Sequence, residues 1–250
     1  PVLPIPLADK YHGGSGDGYS SAEFSTAPPP TIACLPEWSD SSAHNNDKFG
    51  QCVSSAGDVN GDGYDDVIVG AYLFSNSESN EGIAYLYYGC QDGIEMTQAW
   101  SFESNQAGAG LGYSVSEAGD VNNDGYDDVI IGAYGFTNGQ YQEGRCFVFY
   151  GSASGLAASA NWTAEIDIAG SQLGFCVSSA GDINNDGYDD VLLGSFSNKA
   201  YLYLGSSSGL ASTHSWTVNS PVQYFGSSLS SAGDVNNDGF DDAFIGTLYG

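Results

Sequence analysis

Four stretches place oxygen-bearing side chains at alternate positions: Asp58, Asn60, Asp62 and Asp66; Asp120, Asn122, Asp124 and Asp128; Asp182, Asn184, Asp186 and Asp190; Asp234, Asn236, Asp238 and Asp242. Counted from the first Asp, these are positions 1, 3, 5 and 9. Calcium takes six to eight hard oxygen ligands in a flexible shell, so alternate side chains of a tight loop can converge on one ion. The backbone carbonyl at position 7, from Tyr64, Tyr126, Tyr188 or Phe240, would add another ligand. Glycine at position 6 permits the sharp turn this requires. Without a cation, three carboxylates would crowd one small volume and repel one another. An EF-hand begins in the same way but needs a bidentate Glu at position 12, where this chain has Val69, Ile131, Leu193 or Ile245. The EF-hand is therefore excluded. One such loop alone would pass as a polar turn; four matching copies point to a cation. The expected load is about four calcium ions per chain, one per loop. At position 8, Asp65, Asp127, Asp189 and Asp241 are expected to point away from the ion and to cap or hydrogen-bond the loop.

The elements that hold these loops repeat with them. Asp58, Asp120, Asp182 and Asp234 are separated by 62, 62 and 52 residues, which makes the chain a repeat protein before any local assignment is made. Each unit opens on a large apolar residue and glycine: Phe49-Gly50, Leu111-Gly112, Leu173-Gly174 and Phe225-Gly226. A short strand such as Cys52 to Ala56 leads into the loop, and a β-branched or apolar run leads out of it: Val67 to Val69, Val129 to Ile131, Val191 to Leu193, and Phe244-Ile245. Third strands are expected at Ala84 to Tyr88, Cys146 to Tyr150 and Ala200 to Leu204, and fourth strands around Trp100, Trp162 and Trp216. Four short strands per unit make one blade of a β-propeller. The tryptophans recur at one strand position and so read as inter-blade core in preference to a sugar-binding surface. The units run 49–110, 111–172, 173–224 and 225–250, within a repeat region of 38–250 that follows a Pro/Gly-rich extension of 1–37.

These residues resemble the FG-GAP repeat of integrin α-subunit propellers. The likeness rests on the Phe-Gly opening, the Asp-x-Asn-x-Asp-Gly-x-x-Asp loop, and Gly70-Ala71-Tyr72 or Gly132-Ala133-Tyr134 where the family has Gly-Ala-Pro. Gly194-Ser195-Phe196 and Gly246-Thr247-Leu248 drift from that last motif. The resemblance implies an all-β, calcium-stabilised extracellular propeller used for adhesion or ligand binding. The family usually has seven blades, whereas this chain has about four, either closed on themselves or completed by a neighbouring chain.

Composition sets the remaining bounds. With 31 acidic and four basic residues the formal charge is −27, which disfavours nucleic acid and anionic membranes as partners and favours cations. No apolar run is long enough to span a bilayer, and the start lacks the basic region of a signal peptide, so a soluble mature product is expected. Cys34, Cys52, Cys90, Cys146 and Cys176 show no zinc-site spacing. Cys52 and Cys176 stand where other repeats have Ser114 and Ser228, which suggests small half-buried side chains in preference to a disulfide. His12, His44 and His214 are scattered, and no nucleophile elbow or zinc-protease helix is present, so no enzyme is expected. The primary functional reading is a secreted or surface-exposed adhesion module that binds a protein or a glycan. Alternatives are a subunit of a self-assembling extracellular filament or surface layer, built by strand or blade completion between copies, and an accessory domain of a secreted enzyme. Trp38 stands 11 residues before Phe49, as Trp100 and Trp162 precede Leu111 and Leu173. The segment before Phe49, with Pro28 to Pro30 and Thr31 to Trp38, is therefore expected to complete the sheet of the short fourth repeat.

Overall fold

The structure is a computed structural model that describes residues 21–24, 38–41 and 46–248. Among these residues the chain is all-β. The strands β1 (Ser21–Phe24) and β2 (Trp38–Ser41) form a two-stranded sheet of their own, with Trp38 opposite Phe24. The first blade has β3 (Cys52–Gly57), β4 (Asp66–Ala71) and β5 (Ile83–Tyr87), then a small ribbon of β6 (Gly89–Cys90) and β7 (Gly93–Ile94), and finally β8 (Trp100–Glu103). The second comprises β9 (Leu111–Gly119), β10 (Asp128–Ala133), β11 (Arg145–Phe149) and β12 (Trp162–Ala164). The third comprises β13 (Leu173–Gly181), β14 (Asp190–Ser195), β15 (Lys199–Tyr203) and β16 (Trp216–Asn219). The fourth has β17 (Phe225–Gly233) paired with β18 (Asp242–Thr247). Each blade is an antiparallel meander in sequence order, and the first strands stack in series: β3 on β9, β9 on β13, β13 on β17.

This is the propeller-like blade array expected from the repeat, with each strand within a residue or two of its expected place. The second strands are buried over their whole length in blades two and three. A strand covered on both faces reads as a continuous apolar run, which is why Val129 to Ile131 and Val191 to Leu193 show no alternation. The core lies between blades. Ile68, Leu86 and Ala56 of blade one meet Val129, Ile131, Phe147 and Phe149 of blade two, and Ile130, Val148 and Ala118 of blade two meet Val191, Leu193, Tyr201 and Tyr203 of blade three.

One expectation is corrected. Among the described residues the strand carrying Trp38 pairs with β1 and not with the fourth blade of its own chain, which corrects the expectation of self-closure and leaves completion of a neighbouring chain's blade as it stood. Closing the connection between β1 and β2 orders a shorter loop than reaching across three blades, and loop-closure entropy favours the nearer partner. Residues 25–37, which hold Pro28 to Pro30 and Thr31, lie outside the described residues.

Candidate cation-binding loops and the clasp between blades

Each acidic loop joins the first and second strands of its blade, and its backbone explains its sequence. Position 4 is left-handed in all four copies: Gly61 has φ 73°, and Asn123, Asn185 and Asn237 have φ 53°, 55° and 59°. Gly and Asn are the residues that adopt this conformation readily. At position 6, Gly63, Gly125, Gly187 and Gly239 have φ of 89–92°.

The first Asp organises the turn. In loop one Asp58 Oδ1 accepts from the N–H groups of Gly61 (2.8 Å) and Asp62 (3.0 Å), and its Oδ2 accepts from Gly63 N–H (2.8 Å). Asp62 Oδ1 accepts from Tyr64 N–H at 3.0 Å. The same bonds from Asp to the residues four and five further on recur in the other loops. Position 9 sits deeper. Asp66, Asp128 and Asp190 are 0% exposed, and each spans two backbone segments. Asp66 accepts from Val59 and Gly89, Asp128 from Val121 and Gly151, and Asp190 from Ile183 and Gly205, all at 2.8–3.1 Å.

The electrostatics of position 9 are those of an anion held against its preference. Asp66 is pushed up to about 6, Asp128 to about 8 and Asp190 to about 6, chiefly by burial with a contribution from the carboxylates at positions 1 and 5, and against the backbone N–H bonds that lower them. None of the basic residues Lys48, Arg145 and Lys199 bonds to a loop carboxylate; Arg145 pairs with Glu165 instead. The donor set is all hard oxygen and net negative, which fits a divalent cation of the calcium type. As the side chains stand, no three His, Cys, Asp or Glu among the described residues gather closely enough to hold one. Several loop oxygens are turned onto the backbone N–H groups of their own loop.

Position 8 does something that the sequence did not disclose. Asp127 reaches into the preceding blade, where its Oδ2 accepts from Asp58 N–H at 2.8 Å while its own N–H donates to Asp58 O at 3.2 Å. Asp189 clasps Asp120 in the same way, and Asp241 clasps Asp182. The residue before each clasped Asp is glycine with positive φ, and a Cβ on Gly57 would sit 2.2 Å from the Asp127 carboxylate. The expectation that position 8 bonds a loop thus holds, but the loop belongs to the neighbouring blade. The four loops are thereby linked in series along one end of the array, reinforced by a bond from Asn123 Nδ2 to Gly187 O at 2.9 Å.

Further inter-blade bonds involve residues singled out from sequence. Cys52 Sγ accepts from Val115 N–H at 3.3 Å, and Ser114 Oγ accepts from Val177 N–H at 3.0 Å. The thiols of Cys52, Cys90, Cys146 and Cys176 are free. Trp100 packs edge-on against Phe149 of the next blade with centroids 4.8 Å apart, and Trp162 against Tyr203 at 4.9 Å. Their indole N–H groups donate to Ala157 O and Ala211 O. Sequence reading missed Glu81 and Glu143, both fully buried, whose Oε1 atoms accept N–H bonds from Asn76 to Glu78 and from Asn138 and Gln140. The only signal was the repeated Glu-Gly before the third strand.

The FG-GAP repeat family matches residues 53–87 and 111–149, and the FG-GAP-like repeat family matches 182–245, together more than half of the chain. Similar proteins include integrin alpha-V of Gallus gallus, 28% identical over 92% of this chain and 22% of its own length. Integrin alpha-5 of Xenopus laevis is 27% identical over 83% of this chain and 20% of its own, and integrin alpha-PS5 of Drosophila melanogaster is 30% identical over 68% and 18%. The chain thus spans about a fifth of the length of these relatives. A solved structure, the exotype rhamnogalacturonan lyase YesX, overlaps 90% of this chain and 42% of its own at 15% identity with a TM-score of 0.49, too loosely to bear on function. With matched repeats in all four units and a sheet built from each, the chain belongs to the FG-GAP repeat family and is similar to integrin α subunits.

Proposed function

We propose that this chain is a calcium-stabilised extracellular interaction module whose ions brace the junctions between blades. The observation that carries this is the buried position-9 carboxylate, set beside two further carboxylates with no basic partner among the described residues, in three successive loops. In the first loop Asp58, Asn60, Asp62, Asp66 and the Tyr64 carbonyl would hold the ion. Their counterparts are Asp120, Asn122, Asp124, Asp128 and Tyr126; Asp182, Asn184, Asp186, Asp190 and Tyr188; and Asp234, Asn236, Asp238, Asp242 and Phe240. Calcium would supply charge neutralisation, and because the ion binds only the folded loop its binding energy adds to folding stability. Since Asp58, Asp120 and Asp182 are also the residues clasped by the next blade, fixing the loop fixes the clasp. Kinship with integrin α subunits supports a role in adhesion at the cell surface, toward a protein or glycan ligand.

The test is metal content and thermal unfolding of the full chain. Elemental analysis should give about four calcium ions per chain, one for each loop, and chelation should lower the melting temperature. A melting temperature indifferent to chelator would sink the reading.

A further inference from the structure

Where blade two passes into its outermost strand, the chain reads Asn161-Trp162-Thr163. This is an Asn-x-Ser/Thr sequence, the acceptor pattern for N-linked oligosaccharide in secreted proteins. No other Asn of the chain has Ser or Thr two residues on. By sequence alone the tryptophan at its centre counts against it, because a side chain packed between blades suggests buried neighbours. The structure separates them. Successive side chains of an extended segment point to opposite faces, and Trp162 and Ala164 turn toward blade three. There Trp162 packs on Tyr203 and donates to Ala211 O at 3.0 Å, and Ala164 is buried. Asn161 and Thr163 face the other way, and both are exposed. The stretch that leads to them, Ala157 to Ser159, is exposed as well. An oligosaccharide at Asn161 would therefore stand in solvent while the tryptophan keeps its place.

The amide is also oriented. The main-chain N–H of Asn161 donates to Val148 O at 2.9 Å, and its side-chain Oδ1 accepts from Tyr150 N–H at 2.9 Å. The carbonyl is thus pinned to the strand, and no bond among the described residues engages Nδ2, the atom to which a sugar is joined. Modification leaves the pinning bond intact, because a glycosylated amide keeps its carbonyl oxygen. Packing of the tryptophan does not itself call for Asn here: Ala99 precedes Trp100, and Ser215 precedes Trp216. Nor is Thr163 held as its counterpart is. Thr217 donates its hydroxyl to Ala200 O at 3.1 Å, whereas the hydroxyl of Thr163 makes no bond among the described residues.

We propose that Asn161 carries an N-linked oligosaccharide, added while the chain is in transit to the cell exterior. The donor is an oligosaccharide linked through pyrophosphate to a polyprenyl lipid. Asn161 Nδ2 attacks C1 of its first sugar: the N–C1 bond forms, the bond from C1 to the phosphate oxygen breaks, and its electron pair leaves with the lipid pyrophosphate. The amide gives up one of its two protons. The Thr163 hydroxyl is the second group that the transferase reads. This inference rests on the extracellular reading of the chain, since the donor is met on that route. The acceptor lies at the head of β12, the outermost strand in the order β12-β11-β10-β9, so a bulky, hydrated glycan there reserves the outer rim of blade two from protein contact.

The test is intact mass of the full chain, expressed in a eukaryotic host behind a cleavable secretion leader. The chain should be heavier than its polypeptide, and peptide-N-glycosidase should remove the added mass and leave a deamidated residue at position 161 in the peptide map. Thr163→Ala should lose the added mass while Asn161 keeps its bond to Tyr150, and Thr163→Ser should retain it. An asparagine with a structural role alone would leave all three chains unmodified. An unmodified chain overturns the inference, as does a glycan that survives Thr163→Ala. Transfer precedes folding, so medium and cell extract are read alike. A glycosylated chain retained in the cell counts against the extracellular reading and upholds the acceptor; an unmodified chain in the medium does the reverse.

Discussion

A Cβ placed on Gly70 would lie 1.9 Å from the carbonyl oxygen of Gly112, a residue 42 positions away in the next blade. The same approach joins Gly132 to Gly174 (2.0 Å) and Gly194 to Gly226 (1.9 Å). The glycine that stands second from the end of each second strand is thus pressed against the glycine that opens the following repeat. That contact gives a physical reason for both halves of the family's motif: two backbones meet where no side chain fits. It also explains why the departure at Ser195 is tolerated while Gly194 is present, since the small buried Ser195 leaves the close approach intact.

Gly132→Ala should accordingly destabilise the array by about 1–3 kcal/mol, the usual cost of forcing extra volume into packed structure. Gly246→Ala is the comparison, because its Cβ would meet nothing nearer than Ser228 Cβ of its own blade at 3.3 Å. Its cost should stay below about 1 kcal/mol. Urea denaturation of the two variants distinguishes them, and equal losses would mean that strand propensity, not the blade interface, selects the glycine.

The sequence disclosed what lies within a repeat and little of what passes between repeats. The turn of each loop was legible because Gly and Asn at positions 4 and 6 report left-handed backbone locally, and the second strands because burial on both faces writes an unbroken apolar run. Asp127 was harder. Its partner Asp58 is 69 residues away, and spacing alone does not say which loop stacks on which. The glycine preceding each position-1 Asp was the available clue, since a positive φ there opens room for the incoming carboxylate. Trp38 differs for the opposite reason: periodicity suggested a position in the chain's own fourth blade, but among the described residues its strand pairs with β1.

The two adjacent carboxylates of loop two should separate cleanly. Asp127→Ala leaves Asp58 N–H without its acceptor and should cost about 1–3 kcal/mol, with calcium content unchanged. Asp128→Ala removes the proposed position-9 ligand and the bonds to Val121 and Gly151, and should lose one ion as well as stability. Calcium titration followed by calorimetry tests this, and equal ion loss from both variants would show the ligand to be misassigned.

Cys52 and Ser114 occupy one structural position, each accepting a backbone N–H from the next blade. Cys52→Ser should therefore change stability by less than about 1 kcal/mol, whereas Cys52→Val, closer in shape and apolarity, should cost about 1–3 kcal/mol by leaving Val115 N–H unsatisfied. Thermal unfolding in the presence of calcium provides the measurement. If the valine variant were the more stable, the position would be selected for packing and the hydrogen bond would be incidental.

The three blade tryptophans should respond unequally to truncation, and the order follows from what each touches. Trp162 packs on Tyr203 and donates to Ala211 O, so Trp162→Ala opens a cavity and strands a carbonyl, a change worth about 3–5 kcal/mol. Trp100, stacked on Phe102 and edge-on to Phe149, should behave alike. Among the described residues Trp216 has no such partners and is 45% exposed, so Trp216→Ala should cost no more than about 1 kcal/mol. Denaturant midpoints at constant m-value give the comparison. A loss at Trp216 as large as at Trp162 would mean that Trp216 is packed in solution against residues other than those described.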